Sequence, residues 1–405
     1  MNPIYPAEPK HDVYDVVIVG GAMYGSAISW FLTNDPAFTG RVLVLERDPN
    51  YEFASTTHTN SSIRQQYSQE INVRISRFGA QFLKSFREQM GGDTRVPPIH
   101  LDSFGYMYLA STPAFADALR EVQQMQAACG AGTQHMTREQ IAVAYPFYYL
   151  DDIIVGNHNT IDEGYFDGAT MCEWFRRIAR ERGVEFVASE AVSMGLNAAG
   201  TKVETITLKS GTTVSCGQVV NASGPRALLT ARMAGLDIPV EPRKRFTFIF
   251  DAEKPLDRPL PLTIDPSGVH MRSDGRYYMA GCPPDEDGPV DYTDFVHDHS
   301  IWEDKIWPAL AHRVPQFEAI KVINSWVGHY AYNTKDQNAI VGRHPEVTNF
   351  VFCNGFSGHG LQQSPAVGRG VSELLIHGEY RTLDLTPFRY ERFAEGDLLL
   401  EKAII

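Results

Sequence analysis

Val16-Val17-Ile18-Val19-Gly20-Gly21-Ala22-Met23-Tyr24-Gly25, followed by Val42-Leu43-Val44-Leu45-Glu46, is the stretch on which the fold turns. The first apolar run suits a strand buried on both faces. Gly20 allows a tight turn, a small residue at position 22 lets backbone N–H groups approach a pyrophosphate, and Gly25 lets a helix pack closely on the strand. The helix start adds its dipole and free amides. Glu46 stands 21 positions after Gly25, near the ~20 expected of an acid that binds a ribose hydroxyl. Strand, glycine turn, helix, strand and acid in register predict a dinucleotide-binding unit. The unit alone does not separate FAD from NAD.

At 405 residues the chain exceeds one simple core and predicts two domains. Its net charge of −13 argues against nucleic acid or an anionic membrane surface as a main partner. Five scattered cysteines without a C-x-x-C pair indicate neither a disulfide framework nor a zinc site. No apolar run approaches the ~20 residues of a membrane span. Residues 1–13 lack an apolar signal core, so a cytoplasmic location is expected.

A hydroxyl-rich segment, residues 54–67, follows Glu46 and reads as a functional loop before a helix over 73–86. Further helices are predicted at 114–128, 170–182, 301–310 and 366–375. Residues 202–208 and 212–216 read as a hairpin, and Gln218-Val219-Val220-Asn221 as a separate buried strand ending in Ala222-Ser223-Gly224. Glu241-Pro242-Arg243-Lys244-Arg245 reads as a solvated basic edge, and 285–298 as an acidic surface loop. Phe350-Val351-Phe352 leads into Gly355-Phe356-Ser357-Gly358-His359-Gly360-Leu361-Gln362, a second glycine turn before a helix. Both turns must converge, which predicts a nucleotide domain split along the chain.

Val17-Ile18-Val19-Gly20-Gly21, Ala222-Ser223-Gly224 and Gly355 through Gly360 together resemble the D-amino acid oxidase/sarcosine oxidase group of FAD-dependent oxidoreductases. The resemblance covers nearly the whole chain. It implies an α/β fold with a split Rossmann-like FAD domain (residues 1–92, 152–236 and 325–405) and a mixed-sheet substrate domain (93–151 and 237–324). It implies FAD as cofactor, held at the ADP end by Gly20, Gly21, Ala22, Tyr24, Gly25, Glu46 and Arg47. Ser55 and Thr56 would meet the pyrophosphate, Val192 the adenine, and Ala222 and Gly224 the adjoining wall. Gly358, His359, Gly360, Leu361 and Gln362 would meet the flavin and ribityl side. The implied activity is oxidation of the C–N bond of an amino acid or N-alkyl amino acid, of the sarcosine, dimethylglycine, D-amino acid or opine type.

Such chemistry depends on positioning, and a planar guanidinium suits a substrate carboxylate. Arg64 matches the arginine with that role in sarcosine oxidases; the alternative is an ion pair with Glu70 or another structural acid. Tyr330, His329 and His270 are the further catalytic candidates, with Trp326 and Tyr332 in the same segment before Asp336-Gln337-Asn338. The chain departs from the oxidase pattern in having Gln362 where a carboxylate-binding lysine is expected, no lysine near Met279, and no flavin-anchoring cysteine. A cation over the flavin would stabilise developing superoxide, so its loss favours a dehydrogenase using a quinone or electron-transfer protein rather than oxygen. Ser55-Thr56-Thr57-His58 resembles the stretch where dimethylglycine and sarcosine dehydrogenases attach FAD through histidine, which makes His58 a candidate covalent anchor. A low-turnover flavin-binding assembly protein and a 2-hydroxy acid dehydrogenase are the competing readings.

Overall fold

The computed structural model describes residues 5–401. Two eight-stranded sheets carry the molecule, with a three-stranded sheet of short segments beside them. In the first sheet the Val13–Val19 strand lies between Val42–Glu46 and Thr213–Asn221, parallel to both. Glu185–Ala188 extends one side, also parallel, and Phe350–Asn354 pairs parallel with the end of Thr213–Asn221. Strands sandwiched this way are apolar along their length: every residue of Val42–Glu46 and Phe350–Asn354 is buried.

Thr213–Asn221 is a single strand rather than the two expected. Its first half pairs antiparallel with Val203–Leu208, its second half parallel with the nucleotide strands, so the hairpin and the buried strand are one element. Helices Met23–Asn34, Gly168–Glu181 and Gly360–His377 share a core with this sheet, and Glu70–Lys84 packs on the last of them. Trp30, fully buried, lies against Phe31, Phe82 and Phe175 at its centre. The helix expected at 366–375 begins at Gly360, so Gly360, Leu361 and Gln362 form its first turn.

The second sheet runs Ile320–Asn333, Val240–Ala252, Tyr277–Cys282, His270–Asp274, Leu262–Ile264, Tyr106–Ala110, Val155–Asn159 and Gln134–Thr137. Two of these strands fall on the other side of the expected domain limits. Val155–Asn159 lies after position 152, and Ile320–Asn333 crosses position 325, yet both belong to the second sheet. Residues 1–4 and 402–405 of the outer segments lie outside the described residues. The basic run is no solvated edge. Arg243, Lys244 and Arg245 sit in the Val240–Ala252 strand, flanked by Ile320–Asn333, and pair with acids of the 285–298 coil.

Candidate active site

One cavity lies between the sheets. Its wall includes the Gly20 turn and Glu46 from the first sheet, and Tyr106, Thr247, Leu262 and His270 from the second. Gly20 has φ +101°, and a side chain there would meet the Ala222 carbonyl at 2.4 Å. A Cβ on Gly25 would lie 1.9 Å from the Gly20 carbonyl oxygen, so strand and helix approach only because position 25 carries none. The Met23–Asn34 helix starts at Ala22 with no side-chain cap and no acid in its first turn. Its amides are thus available to an anion, apart from a 3.3 Å bond from Met23 N–H to Thr56 Oγ1.

Glu46 is buried, with Oε2 accepting from Gly21 N–H at 2.8 Å and Oε1 from Asp48 N–H at 2.7 Å. Burial pushes its carboxyl up to about 7, against the pull of those two donors. Gly21 and Gly25 therefore act behind the wall, one on Glu46 and one on the turn. Arg47, Ser55, Thr56, His58, Ala222 and Gly224 all line the cavity. Val192 does not. Its side chain is exposed, and the wall there is made by Ser189, Glu190 and Ala191, because the side chains of a strand alternate between faces.

At the second turn Ser357 (φ +48°) and Gly358 (φ +95°) bend the chain back, and the Ser357 amide donates to the Ala331 carbonyl at 3.0 Å. A side chain at position 358 would meet the Tyr330 ring at 2.4 Å. Tyr24 ties the two turns together: its hydroxyl donates to the Gly360 carbonyl at 2.8 Å, and its ring stacks on Phe356 at 4.0 Å.

Arg64 is fully buried on the wall beside that turn. One guanidinium nitrogen donates to the Tyr108 hydroxyl, the other to His359 Nε2 at 3.1 Å, while Nε has no partner. The Tyr67 ring lies 4.6 Å from the guanidinium carbon. Burial opposes the Arg64 charge, but the surrounding tyrosines outweigh it and raise the pKa. Since Arg64 can only donate, His359 Nε2 accepts, and burial followed by the Arg64 charge keeps that imidazole neutral. Glu70 pairs with Arg74 instead, and the guanidinium bonds of Arg64 go to Tyr108 and His359 rather than to an acid. Gln362, standing where a lysine was expected, accepts from Arg64 N–H at 2.8 Å and donates to Tyr67 at 2.7 Å. It orients the arginine and adds no charge.

The other candidates divide. His270 is buried on the second sheet, its Nε2 3.0 Å from the Asn60 amide nitrogen. Burial, then Arg272 and Arg245, pull its pKa down to about 4, so it is neutral and its Nε2 accepts. His329 Nε2 donates to the Asp294 carbonyl at 2.8 Å and its ring stacks on Phe295 at 4.1 Å, which tethers the 285–298 coil. Tyr330 lines the cavity against Gly358; Trp326 is not part of the wall. Asp336 and Asn338 lie away from it, in a buried cluster with Asn72, Asn333 and Arg392. Wall residues that the sequence reading did not single out include Arg245, Tyr292 and Phe295. The signal was present in the opposite charges of 243–245 and 285–298, which are adjacent in space though read as separate surface features.

The sequence matches the family described as FAD dependent oxidoreductase (DAO) over residues 15–374. The chain belongs to that family. It is 37% identical over 424 residues to FAD-dependent oxidoreductase domain-containing protein 1 of Xenopus laevis, covering 96% of this chain and 85% of that protein. Sarcosine oxidase subunit beta of an Arthrobacter species is 24% identical over 406 residues, with 97% and 94% covered. In fold, the chain is similar to L-proline dehydrogenase from P. horikoshii, at a TM-score of 0.82 and 24% identity across 96% of this chain and all of that one. This FAD-dependent oxidoreductase therefore holds FAD, and its residues fit the group. The Cβ-free turn, the uncapped helix and buried Glu46 suit the ADP part; the Ser357–Gly358 bend and the His359 helix start suit the flavin. No helix among the described residues is long and apolar enough to cross a membrane.

Proposed function

We propose that the protein oxidises the C–N bond of an amino acid or N-alkyl amino acid, with Arg64 holding the substrate carboxylate. The observation carrying this reading is a buried guanidinium on the cavity wall whose contacts are a tyrosine hydroxyl, an imidazole and ring faces, with Nε unpartnered. Glu401 and Glu163 act on this cation only through space; with no carboxylate bonded to it, its burial is costly, and an anionic ligand relieves that cost. Bound FAD would supply the two-electron acceptor. The chain's own part is to orient the substrate through Arg64, with Tyr108 and His359 fixing the guanidinium and Gln362 the Arg64 backbone. Neutral His270 keeps its one acceptor nitrogen bonded to Asn60, so it lines the site without taking a proton from the substrate. Tyr292 and Phe295 of the 285–298 coil help exclude water.

A dehydrogenase is favoured over an oxidase. Met279 brings no cation, and Arg245, the added positive group on the wall, is neutralised by a two-point ion pair with Asp287. The acceptor is then a quinone or an electron-transfer protein. Anaerobic mixing with N-methyl amino acids, D-amino acids, opines and 2-hydroxy acids tests the reading. Bleaching by amines alone supports it; bleaching by hydroxy acids alone, or by none of them, overturns it. Reoxidation in air at oxidase-like rates would overturn the preference for a dehydrogenase.

A further inference from the structure

The coil that follows the Tyr277–Cys282 strand starts on the second sheet and lands on the nucleotide half. That strand pairs with Val240–Ala252 only between Cys282 and Tyr278, with Phe246 opposite Cys282 as the outermost pair. Beyond it the chain leaves the ladder, and residues 283–299 form neither helix nor strand. No residue from 285 to 300 is buried. What holds the coil to the second sheet is mainly ionic. Asp287 accepts from Arg245 at 2.7 and 2.9 Å and from Arg243 at 3.4 Å. Lys244 Nζ donates to Asp294 at 2.6 Å and to the Val296 carbonyl at 3.0 Å. Val290 N–H reaches the Pro242 carbonyl at 3.0 Å, and the His329 tether completes the set.

On the other side the coil makes two ring contacts. Tyr292 has its ring centroid 5.4 Å from the guanidinium carbon of Arg226, just after the turn whose Ala222 carbonyl backs Gly20. Burial, then the charge of Arg47, push the Arg226 pKa down, so the two cations act on one another at the same end of the cavity. Phe295 has its ring 5.0 Å from that of Phe53. Phe53 N–H donates to Asp48 Oδ2 at 2.8 Å, and Asp48 N–H to Glu46 Oε1 at 2.7 Å. The coil therefore lands two hydrogen bonds away from the acid expected at the ribose. All four ring and cation groups line the cavity. Structureless segments of this length in a compact domain are commonly lids or binding loops.

We propose that residues 283–299 are a strap that closes over the ADP part of FAD and must lift for the cofactor to exchange, with Asp287 and Asp294 as its latches and Tyr292 and Phe295 as its contacts on the nucleotide half. Lifting it breaks partly exposed ion pairs and two ring contacts, and opens no strand ladder. Such a segment belongs to the low-stability end of a fold. The latches weaken as salt screens them, whereas the ring contact between Phe295 and Phe53 carries no charge to screen. The rate of FAD release is then set by the opening of the strap. This goes beyond the C–N oxidation reading and stands whether or not that reading does.

The test follows FAD release from the loaded protein as a rise in flavin fluorescence, with phosphodiesterase present to cleave the freed FAD. Raising salt from about 0.01 M to about 0.5 M should speed release by the wild type about 10-fold. Asp287→Asn should release FAD at low salt about as fast as the wild type does at high salt, with little further response. A salt effect confined to the pyrophosphate itself would persist in that variant. Tyr292→Ala should speed release and keep the salt response. Deuterium exchange of the loaded protein should rise within 283–299 in Asp287→Asn and stay unchanged in residues 13–46. Release indifferent to salt would overturn the proposal, as would a full salt response in Asp287→Asn or exchange that rises throughout the molecule. Should Asp287→Asn fail to fold, the wild-type salt response and Tyr292→Ala decide. If acid precipitation shows the flavin to be covalent, release is read in the His58→Ala background, and the exchange measurement is unaffected.

Discussion

Arg64 and His359, 295 residues apart in sequence, meet at 3.1 Å, so the guanidinium is fixed by the very turn proposed to face the flavin. The proposed substrate anchor and the proposed flavin turn are thus one bonded unit, completed by Gln362 bonding to the Arg64 backbone and to Tyr67. Replacing Arg64 by Lys keeps a charge but loses the planar fork and its two fixed partners. We expect Arg64→Lys to weaken carboxylate binding by about 2–3 kcal/mol, or ~30–150-fold, with FAD content unchanged. KM and the Kd of a carboxylate inhibitor, measured beside the flavin-to-protein ratio, check this.

As the proposed ribose-binding acid, Glu46 should couple FAD binding to pH. Its carboxyl takes up a proton as pH falls through about 7, losing the charge that attracts ribose hydroxyls. FAD affinity should therefore decline on the acid side of that value. Glu46→Gln should weaken binding by about 1.5–3 kcal/mol at alkaline pH and flatten the decline. Without FAD the sign reverses. A carboxyl raised above its ordinary 4.5 binds more protons folded than unfolded between about 4.5 and 7, so this group's contribution to apo-protein stability is lost as pH rises through that window. Fluorescence titration of FAD and thermal melts across pH separate the two effects.

Gly25→Ala should be far more damaging than an ordinary surface change. The added carbon would lie 1.9 Å from the Gly20 carbonyl oxygen, so the helix must move off the strand and the phosphate turn must open. Overpacking of this kind costs about 1–3 kcal/mol. A lower melting temperature and FAD lost on gel filtration are the expected results, whereas Gly183→Ala, whose Cβ would meet nothing within 4 Å though its φ is +98°, should pay only backbone strain and keep its FAD.

His58 lines the cavity with Nδ1 at 3.1 Å from the Ala54 carbonyl, an arrangement in which Nδ1–H donates and Nε2 keeps its lone pair. That nitrogen is suited to a covalent flavin link. Acid-precipitated protein should stay yellow, and His58→Ala should release the colour into the supernatant. Full release from the wild type would exclude the link.

The neutrality of His270 is also measurable. Burial depresses its pKa to about 4, below the ordinary 6.5, so the unfolded chain binds the extra proton first and stability falls as pH drops between those values. His270→Asn should remove that portion of the acid sensitivity in a melt series from pH 7 to pH 4.

The nucleotide half was legible because its constraints are local. A tight turn, a close helix and an acid after the second strand leave marks at fixed spacing, and Gly20, Ala22, Gly25 and Glu46 all act at that turn, directly or from behind it. The 355–362 turn was legible for the same reason. The substrate half was not. Arg245 is an ordinary basic residue until Asp287, 42 positions later, is folded onto it, and Asp285 to Asp298 look like solvated acids until Tyr292 and Phe295 face inward. Val192 failed on a single step of strand alternation, and the buried pairing of Asp336 with Arg392 is one that no spacing announces.

By itself, then, the sequence determined the dinucleotide turn, the acid that serves it and the presence of a buried-strand sheet, since each depends on backbone sterics within a few dozen residues. Only the tertiary structure decided what surrounds Arg64: Tyr108 from one sheet, His359 and Gln362 from the far end of the chain. Which charges are neutralised and which are left for a ligand depends on distances between segments that share no local signal, and electrostatic energy in a buried cavity is set by those distances.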